Sequence, residues 1–200
     1  MPGTNSNTCP RTLAVYPGCS PRTRASQANW ISVPKKSDKP KIGVLHTGGT
    51  IAMHRDASGL LEVPKDPVKF LLRIAPLMKD LINVKFRIVD NIDSASARVA
   101  NWSSLISAID DVRSKVDGII VLHGTDTLEF SAACVAFAFP DLEIPCIFTG
   151  AQLAFDEPES DVLTNLMGAV YCVLDPRLVG SHVVFNNKVF RGENVEKVKA

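Results

Sequence analysis

The stretch that most restricts how this chain can fold is residues 118–122, G-I-I-V-L, where apolar side chains follow one another without alternation and give way at once to H-G-T-D-T. An alternating strand can leave one face in water. A contiguous apolar strand has to be covered on both faces, which is the position of a central strand in a parallel sheet flanked by helices. Residues 41–51, K-I-G-V-L-H-T-G-G-T-I, have the same layout: Ile42, Val44 and Leu45 read as buried strand, and the segment ends in two threonines separated by Gly48 and Gly49. Parallel strands present ligands at their carboxyl ends. The paired glycines let the backbone turn and approach a small molecule there. Gly- and Thr-rich strand-to-helix loops also occur with no such role, so on this motif alone both uses stand.

The rest of the body alternates strand and helix signals. Asp66-Pro67 reads as a helix start, N-cap then first helical position, with Pro76 limiting its length. Residues 84–89 form the next strand. Asn101 caps a helix carrying Trp102, Leu105, Ile106, Ile109 and Val112 at helical spacing, ending near Gly118. Residues 128–139 are an Ala-rich helix packed on the sheet, 145–149 a strand, and Ser160 or Asp161 caps a helix bearing Leu163, Leu166, Met167, Val170 and Val173. A strand at 181–185 follows. Residues 52–64 read as a mobile loop. The fold class is α/β: a doubly wound, mostly parallel, Rossmann-like sheet with helices on both faces and a disordered N-terminal tail.

Residues 1–40 form that tail, rich in Ser, Thr, Pro and Asn and without an acidic residue before Asp38. Too little apolar surface is available there to offset the entropy of ordering. Arg11, Arg22 and Arg24 faintly suggest an organelle transit peptide, but Pro10, Pro17 and Pro21 oppose the amphipathic helix it needs. The remainder, 41–200, is one α/β domain, since a chain of 200 residues with 46% hydrophobic content supports one good core. With 22 basic against 21 acidic residues and no basic cluster in the body, a dedicated nucleic-acid surface is not expected. No apolar run reaches the roughly 18 residues of a membrane span. The five cysteines are odd in number and contain no C-x-x-C pair, which fits buried thiols in a reducing, cytoplasmic compartment.

Five loops, 47–50, 93–96, 125–127, 149–152 and 186–197, follow strand ends and so fall along one sheet edge. They bring hydroxyls together with Asp126 and Lys197. Asp126 has a capping alternative, because Thr127 opens a helix. Threonine needs a base to become a nucleophile, and a desolvated lysine can serve.

T-G-G-T-I at 47–51 and H-G-T-D-T at 123–127 resemble the two signatures of the L-asparaginase family, and D-S-A-S at 93–96, T-G-A-Q at 149–152, S-D at 160–161 and F-N-N-K-V-F-R-G at 185–192 fall in place for its type I branch. The resemblance runs from about Lys41 to Lys197. It implies an N-terminal catalytic α/β domain followed by a smaller C-terminal one, no cofactor or metal, and a homo-oligomer in the full-length form. The implied reaction is hydrolysis of a small amino-acid amide, asparagine, to aspartate and ammonia. Thr50 would be the nucleophile, Thr125 and Lys197 the second hydroxyl and its base. Asp126 would hold the substrate ammonium and Ser94 its α-carboxylate, with Asp93 and Ala151 in the substrate-binding loops. N–H groups of the Thr125 and Ala151 loops would face the oxyanion.

Some positions depart from the pattern. Leu60 follows Gly59 where many members have a tyrosine, Ser96 replaces an acidic residue, and Asn194 replaces a basic one in R-G-E-N-V-E-K. The resemblance also implies a longer protein, so a 200-residue chain by itself is expected to turn over slowly and to self-associate. A catalytically inactive binding or regulatory homologue is the alternative function. An amidotransferase component acting on charged tRNA shares the signatures but would want a basic surface. A nucleotide-binding module lacks both G-x-G-x-x-G and the P-loop pattern.

Overall fold

The computed structural model describes residues 30–32 and 38–198. In chain order the strands and helices are β1 (Trp30–Ser32), β2 (Lys41–Gly48), β3 (His54–Arg55), β4 (Leu61–Glu62), α1 (Pro67–Met78), β5 (Asn83–Ile92), α2 (Val99–Val112), β6 (Gly118–Leu122), α3 (Leu128–Ala138), β7 (Pro145–Thr149), α4 (Val162–Val173), β8 (Gly180–Phe185) and β9 (Lys188–Arg191). The main sheet has the order β1-β5-β2-β6-β7-β8-β9. Its five inner strands are parallel, and β1 and β9 close the two edges antiparallel.

Contiguous apolar runs become intelligible once both faces are seen. On β6, Ile120 and Leu122 pack with α1 and α4 through Leu71, Ile74, Leu166 and Val170. Ile119 and Val121 face the other way, onto α2 and α3 through Ile109 and Val135. Every residue of β6 and of β7 is buried. Burying one such aliphatic side chain contributes about 1.5–3 kcal/mol. These central strands are therefore held firmly enough to fix the loops at their carboxyl ends.

Several elements differ from expectation. Trp30–Ser32, inside the segment read as a tail, pairs with β5, Ile31 opposite Phe86; the other tail residues up to 37 lie outside the described residues. Pro76 sits within the last turn of α1 rather than ending it. The carbonyl that loses its donor belongs to Leu72, which is exposed, so water can replace the bond. Helix α2 begins at Val99, with Asn101 inside its first turn and its Oδ1 accepting from Arg98 N–H at 2.8 Å. The 52–64 loop contains the β3–β4 hairpin, whose turn is organised by Asp56 Oδ1 accepting from the N–H groups of Ser58 and Leu60. Asn186 and Asn187 both have positive φ, 48° and 58°, and make the two-residue turn from β8 into β9. Asn is among the residues that tolerate that region, as a type I′ hairpin turn requires. Among the described residues no helix is long and apolar enough to cross a membrane.

Candidate active site

Neighbouring strands β5, β2 and β6 carry the first three loops, and glycines let these loops stack. Gly49 has φ 89°, and a Cβ there would overlap the backbone of Gly124. A Cβ on Gly124 would in turn overlap the Ser94 hydroxyl. The T-G-G-T, H-G-T-D-T and D-S-A-S segments thus touch closely, an approach open only to residues without side chains. Thr50 and Thr125 each come one residue after the point of contact.

The two threonines of the first motif differ in use. Thr47 is buried and its hydroxyl donates to the Leu122 carbonyl at 3.1 Å, tying β2 to β6. Thr50 opens a short 3₁₀ turn, Thr50–Ala52, anchored by buried Ile51 and Ala52. Thr50 is half-buried as a residue, and its hydroxyl has no hydrogen bond among the described residues.

At the second motif, Lys197 Nζ donates to Thr125 Oγ1 at 3.1 Å and to Asp126 Oδ1 at 2.9 Å. Its own backbone N–H donates to Glu129 Oε2 at 2.6 Å. The lysine side chain is 20% exposed and that of Asp126 51%. The N-cap of α3 is Thr127, so the capping alternative for Asp126 fails and its carboxylate pairs with Lys197 instead. Ser94 is buried; its hydroxyl accepts from Asp126 N–H at 3.2 Å, and its carbonyl accepts from the Thr127 hydroxyl. Asp93 supports this turn by accepting from Ala95 N–H at 3.0 Å.

Two polar clusters were missed by the sequence argument. His123 Nδ1 lies 2.8 Å from the Gly124 carbonyl and Nε2 2.8 Å from Ser131 Oγ, which is 2.9 Å from Trp102 Nε1. A carbonyl only accepts, so Nδ1 carries the proton, Ser131 donates to Nε2, and Trp102 donates to Ser131. Burial holds the His123 imidazole below its ordinary pKa, and hence neutral. The second cluster holds the T-G-A-Q loop. Asp161 caps no N–H of its own helix. Its carboxylate accepts from Gln152 and Leu153 N–H, each at 3.0 Å, and from Asn165 Nδ2 at 2.9 Å. Only the S-D pair at 160–161 marked this cluster in the sequence.

A further buried histidine, His46, lies on β2 just before the first motif. Burial lowers its pKa to about 4, with Asn91 Oδ1 at 3.4 Å from Nε2 opposing the shift. Beside Thr125 and Lys197 opens a cavity of about 530 Å³ whose other walls include Leu128, Gln152, Phe185 and Phe190.

A doubly wound α/β domain that brings two threonine-bearing glycine loops, a lysine and a carboxylate to the carboxyl ends of its parallel strands defines the class: a Rossmann-like domain with a polar site at its strand ends. The chain belongs to the asparaginase family, whose N-terminal domain model matches residues 41–200. It is similar to a glutamyl-tRNA(Gln) amidotransferase subunit of Methanococcus vannielii, 31% identical over 160 residues that cover 80% of this chain and 37% of that protein. The corresponding protein of Methanosphaera stadtmanae is 37% identical over 138 residues, 68% of this chain and 31% of that one. Among solved structures, the thermostable L-asparaginase from Thermococcus kodakarensis aligns with a TM-score of 0.66 at 30% identity, covering 76% of this chain and 46% of that one. L-asparaginase I from Vibrio cholerae gives a TM-score of 0.71 at 27% identity, covering 81% and 49%. The chain therefore spans about half or less of the length of these proteins.

Proposed function

We propose that this domain catalyses hydrolysis of the side-chain amide of L-asparagine to L-aspartate and ammonia. The observation that carries the proposal is the contact of Lys197 Nζ with both Thr125 Oγ1 and Asp126 Oδ1, one residue from where the Gly124 and Gly49 backbones meet. Thr50 Oγ attacks the amide carbon, its proton passes to the leaving nitrogen, and the C–N bond breaks to release ammonia. Water then cleaves the Thr50 ester and returns the hydroxyl. Lys197, in contact with both Thr125 Oγ1 and Asp126 Oδ1, is the base that serves the Thr125 hydroxyl, and Thr125 in turn activates the hydroxyl that reacts at the same carbon. Ser94 and Asp93 belong to the loop that receives the α-carboxylate, and Asp126 pairs with the ammonium. Fixing both charged ends supplies the proximity term. No cofactor takes part. The working form is a cytoplasmic homo-oligomer.

A second reading is supported by the relatives named as glutamyl-tRNA(Gln) amidotransferase subunits: the same site would release ammonia from glutamine for transfer within a larger assembly. Ammonia release from L-asparagine and L-glutamine, measured side by side with the Thr50→Ala variant, tests both. A preference for glutamine favours the second. Activity surviving in Thr50→Ala rejects Thr50 as the nucleophile, and activity absent with both amides leaves an inactive binding homologue.

A further inference from the structure

The T-G-A-Q loop after β7 is held by a side chain that the mechanism above does not use. Asn165, on α4, is 1% exposed. Its Oδ1 accepts from Asn186 N–H at 2.9 Å, and since a backbone N–H can only donate, the assignment of the amide is decided. Nδ2 then donates to the Gly150 carbonyl at 3.0 Å and to Asp161 Oδ2 at 2.9 Å. One buried amide is thereby bonded to the loop after β7, to the start of α4 and to the turn after β8.

The bond to Gly150 has a consequence for the next residue. In a trans peptide the N–H points opposite to the C=O. The Gly150–Ala151 peptide is trans, so drawing the Gly150 carbonyl toward α4 turns the Ala151 N–H away from it. Asp161 treats the following peptide in the same way: it accepts from Gln152 N–H through both oxygens, each at 3.0 Å, and so turns the Ala151 carbonyl away from its own carboxylate. Gly150 itself lies against the second-motif loop, where a Cβ would overlap the His123 carbonyl and come within 3.4 Å of Thr125 Cγ2. The Ala151 N–H has no acceptor among the described residues.

We infer that Asn165 is a positioning residue: it locks the orientation of the Gly150–Ala151 peptide so that the Ala151 N–H is presented as a fixed donor at the site, with Asp161 fixing the adjoining Ala151 carbonyl. This deepens the amidohydrolase proposal and rests on it for the chemical use of Ala151. A donor held before the substrate arrives needs no reorganisation when the amide oxygen gains charge.

The test separates this lock from the general support Asn165 gives the fold. The double variant Asn165→Asp/Asp161→Asn exchanges donor and acceptor within the pair. It keeps the acceptor for Asn186 N–H, the pairing of positions 165 and 161, and an acceptor for Gln152 and Leu153. The donor to Gly150 is lost, together with the second of the two bonds from Gln152 N–H, the one to Oδ2 of position 161. Selective ¹⁵N-alanine labelling reports the Ala151 amide, melting reports the fold, and ammonia release from L-asparagine gives kcat and KM. The expected result is a melting temperature restored relative to Asn165→Asp, a shifted Ala151 amide, and a kcat still down on the order of 10²-fold with KM little changed. An unmoved Ala151 amide, or wild-type kcat in the double variant, overturns the inference. If the wild-type chain releases no ammonia, the enzymatic proposal fails while the Ala151 amide still decides the lock. If the double variant does not fold, exchange of the Asn165 side-chain amide in the wild-type chain decides it: slow exchange is expected, and exchange at the rate of an exposed amide overturns it.

Discussion

Lys197 Nζ stands 3.1 Å from Thr125 Oγ1 although 72 residues separate the two in sequence. The lysine is held from both ends. Its side chain reaches Thr125 and Asp126, and its backbone N–H is bonded to Glu129, two residues past the N-cap of the helix those residues precede. A carboxylate in the first turn of a helix is itself stabilised there by the helix dipole. The segment from Thr125 to Glu129 therefore fixes both the position and the direction of the lysine.

Thr50→Ala is expected to abolish ammonia release while leaving the melting temperature close to wild type, because the hydroxyl removed has no partner among the described residues. Steady-state kinetics on the folded variant check this. More than roughly a few per cent of the wild-type kcat/KM would take Thr50 out of the mechanism.

Asp126→Ala should weaken asparagine binding much more than it lowers stability. Its carboxylate is half exposed and does not cap α3, so the pair with Lys197 contributes no more than about 1 kcal/mol to folding. Loss of a charge-assisted bond to an ammonium group costs about 1.5–3 kcal/mol of binding. Calorimetry with L-asparagine or L-aspartate, set beside thermal melting, reads both. Unchanged affinity with a large drop in melting temperature would give Asp126 a structural role.

Acid should destabilise this fold in a window set by His46. Its pKa falls from 6.5 unfolded to about 4 folded, so its contribution is fully present above pH 6.5 and is lost as pH falls from 6.5 toward 4. The span corresponds to about 3 kcal/mol. His123 is shifted in the same direction by the same cause. Urea unfolding at pH 7.5, 6, 5 and 4.5 should show the decline, and His46→Gln should flatten it. An equal slope in the variant would assign the effect elsewhere.

Ser131→Ala removes the link between Trp102 and His123 and leaves the buried His123 Nε2 and the partly buried Trp102 Nε1 unpaired. A cost of about 1–3 kcal/mol per unsatisfied group follows. The imidazole that bonds to the Gly124 carbonyl also loses its second anchor, so kcat should fall along with stability. A variant as stable as wild type in chemical denaturation would show that water or repacking replaces the hydroxyl.

Gly124→Ala places a methyl where the Ser94 hydroxyl lies. Overpacking of this kind costs about 1–3 kcal/mol, and relief requires the 93–96 loop to separate from the second motif. Substrate affinity should fall with stability. Wild-type kinetics in this variant would mean that the three loops need not touch.

Much of the fold could be read from local pattern. Contiguous apolar runs placed β6 and β7 at their observed bounds, and Asp66-Pro67 marked the start of α1, because burial on two faces and capping chemistry leave marks within a few residues. The same logic put Thr50, Ser94, Thr125, Asp126 and Ala151 at the ends of strands. The edge strands left weaker marks. β9 is exposed at all its residues and β1 is only three residues long, so neither shows a buried pattern, and both exist because a neighbour offers a ladder to join. The polar contacts of the site belong wholly to the tertiary structure. Ser160 or Asp161 was expected to cap α4; Ser160 Oγ accepts from Val162 N–H at 3.3 Å, whereas the Asp161 carboxylate reaches back to Gln152 and Leu153 N–H, a choice set by which N–H groups the folded chain brings near. Periodicity and propensity record what a residue prefers among its near neighbours. Asn165, Ser131 and Glu129 act on partners 15, 29 and 68 residues away in sequence, and only the closing of the sheet brings those partners together.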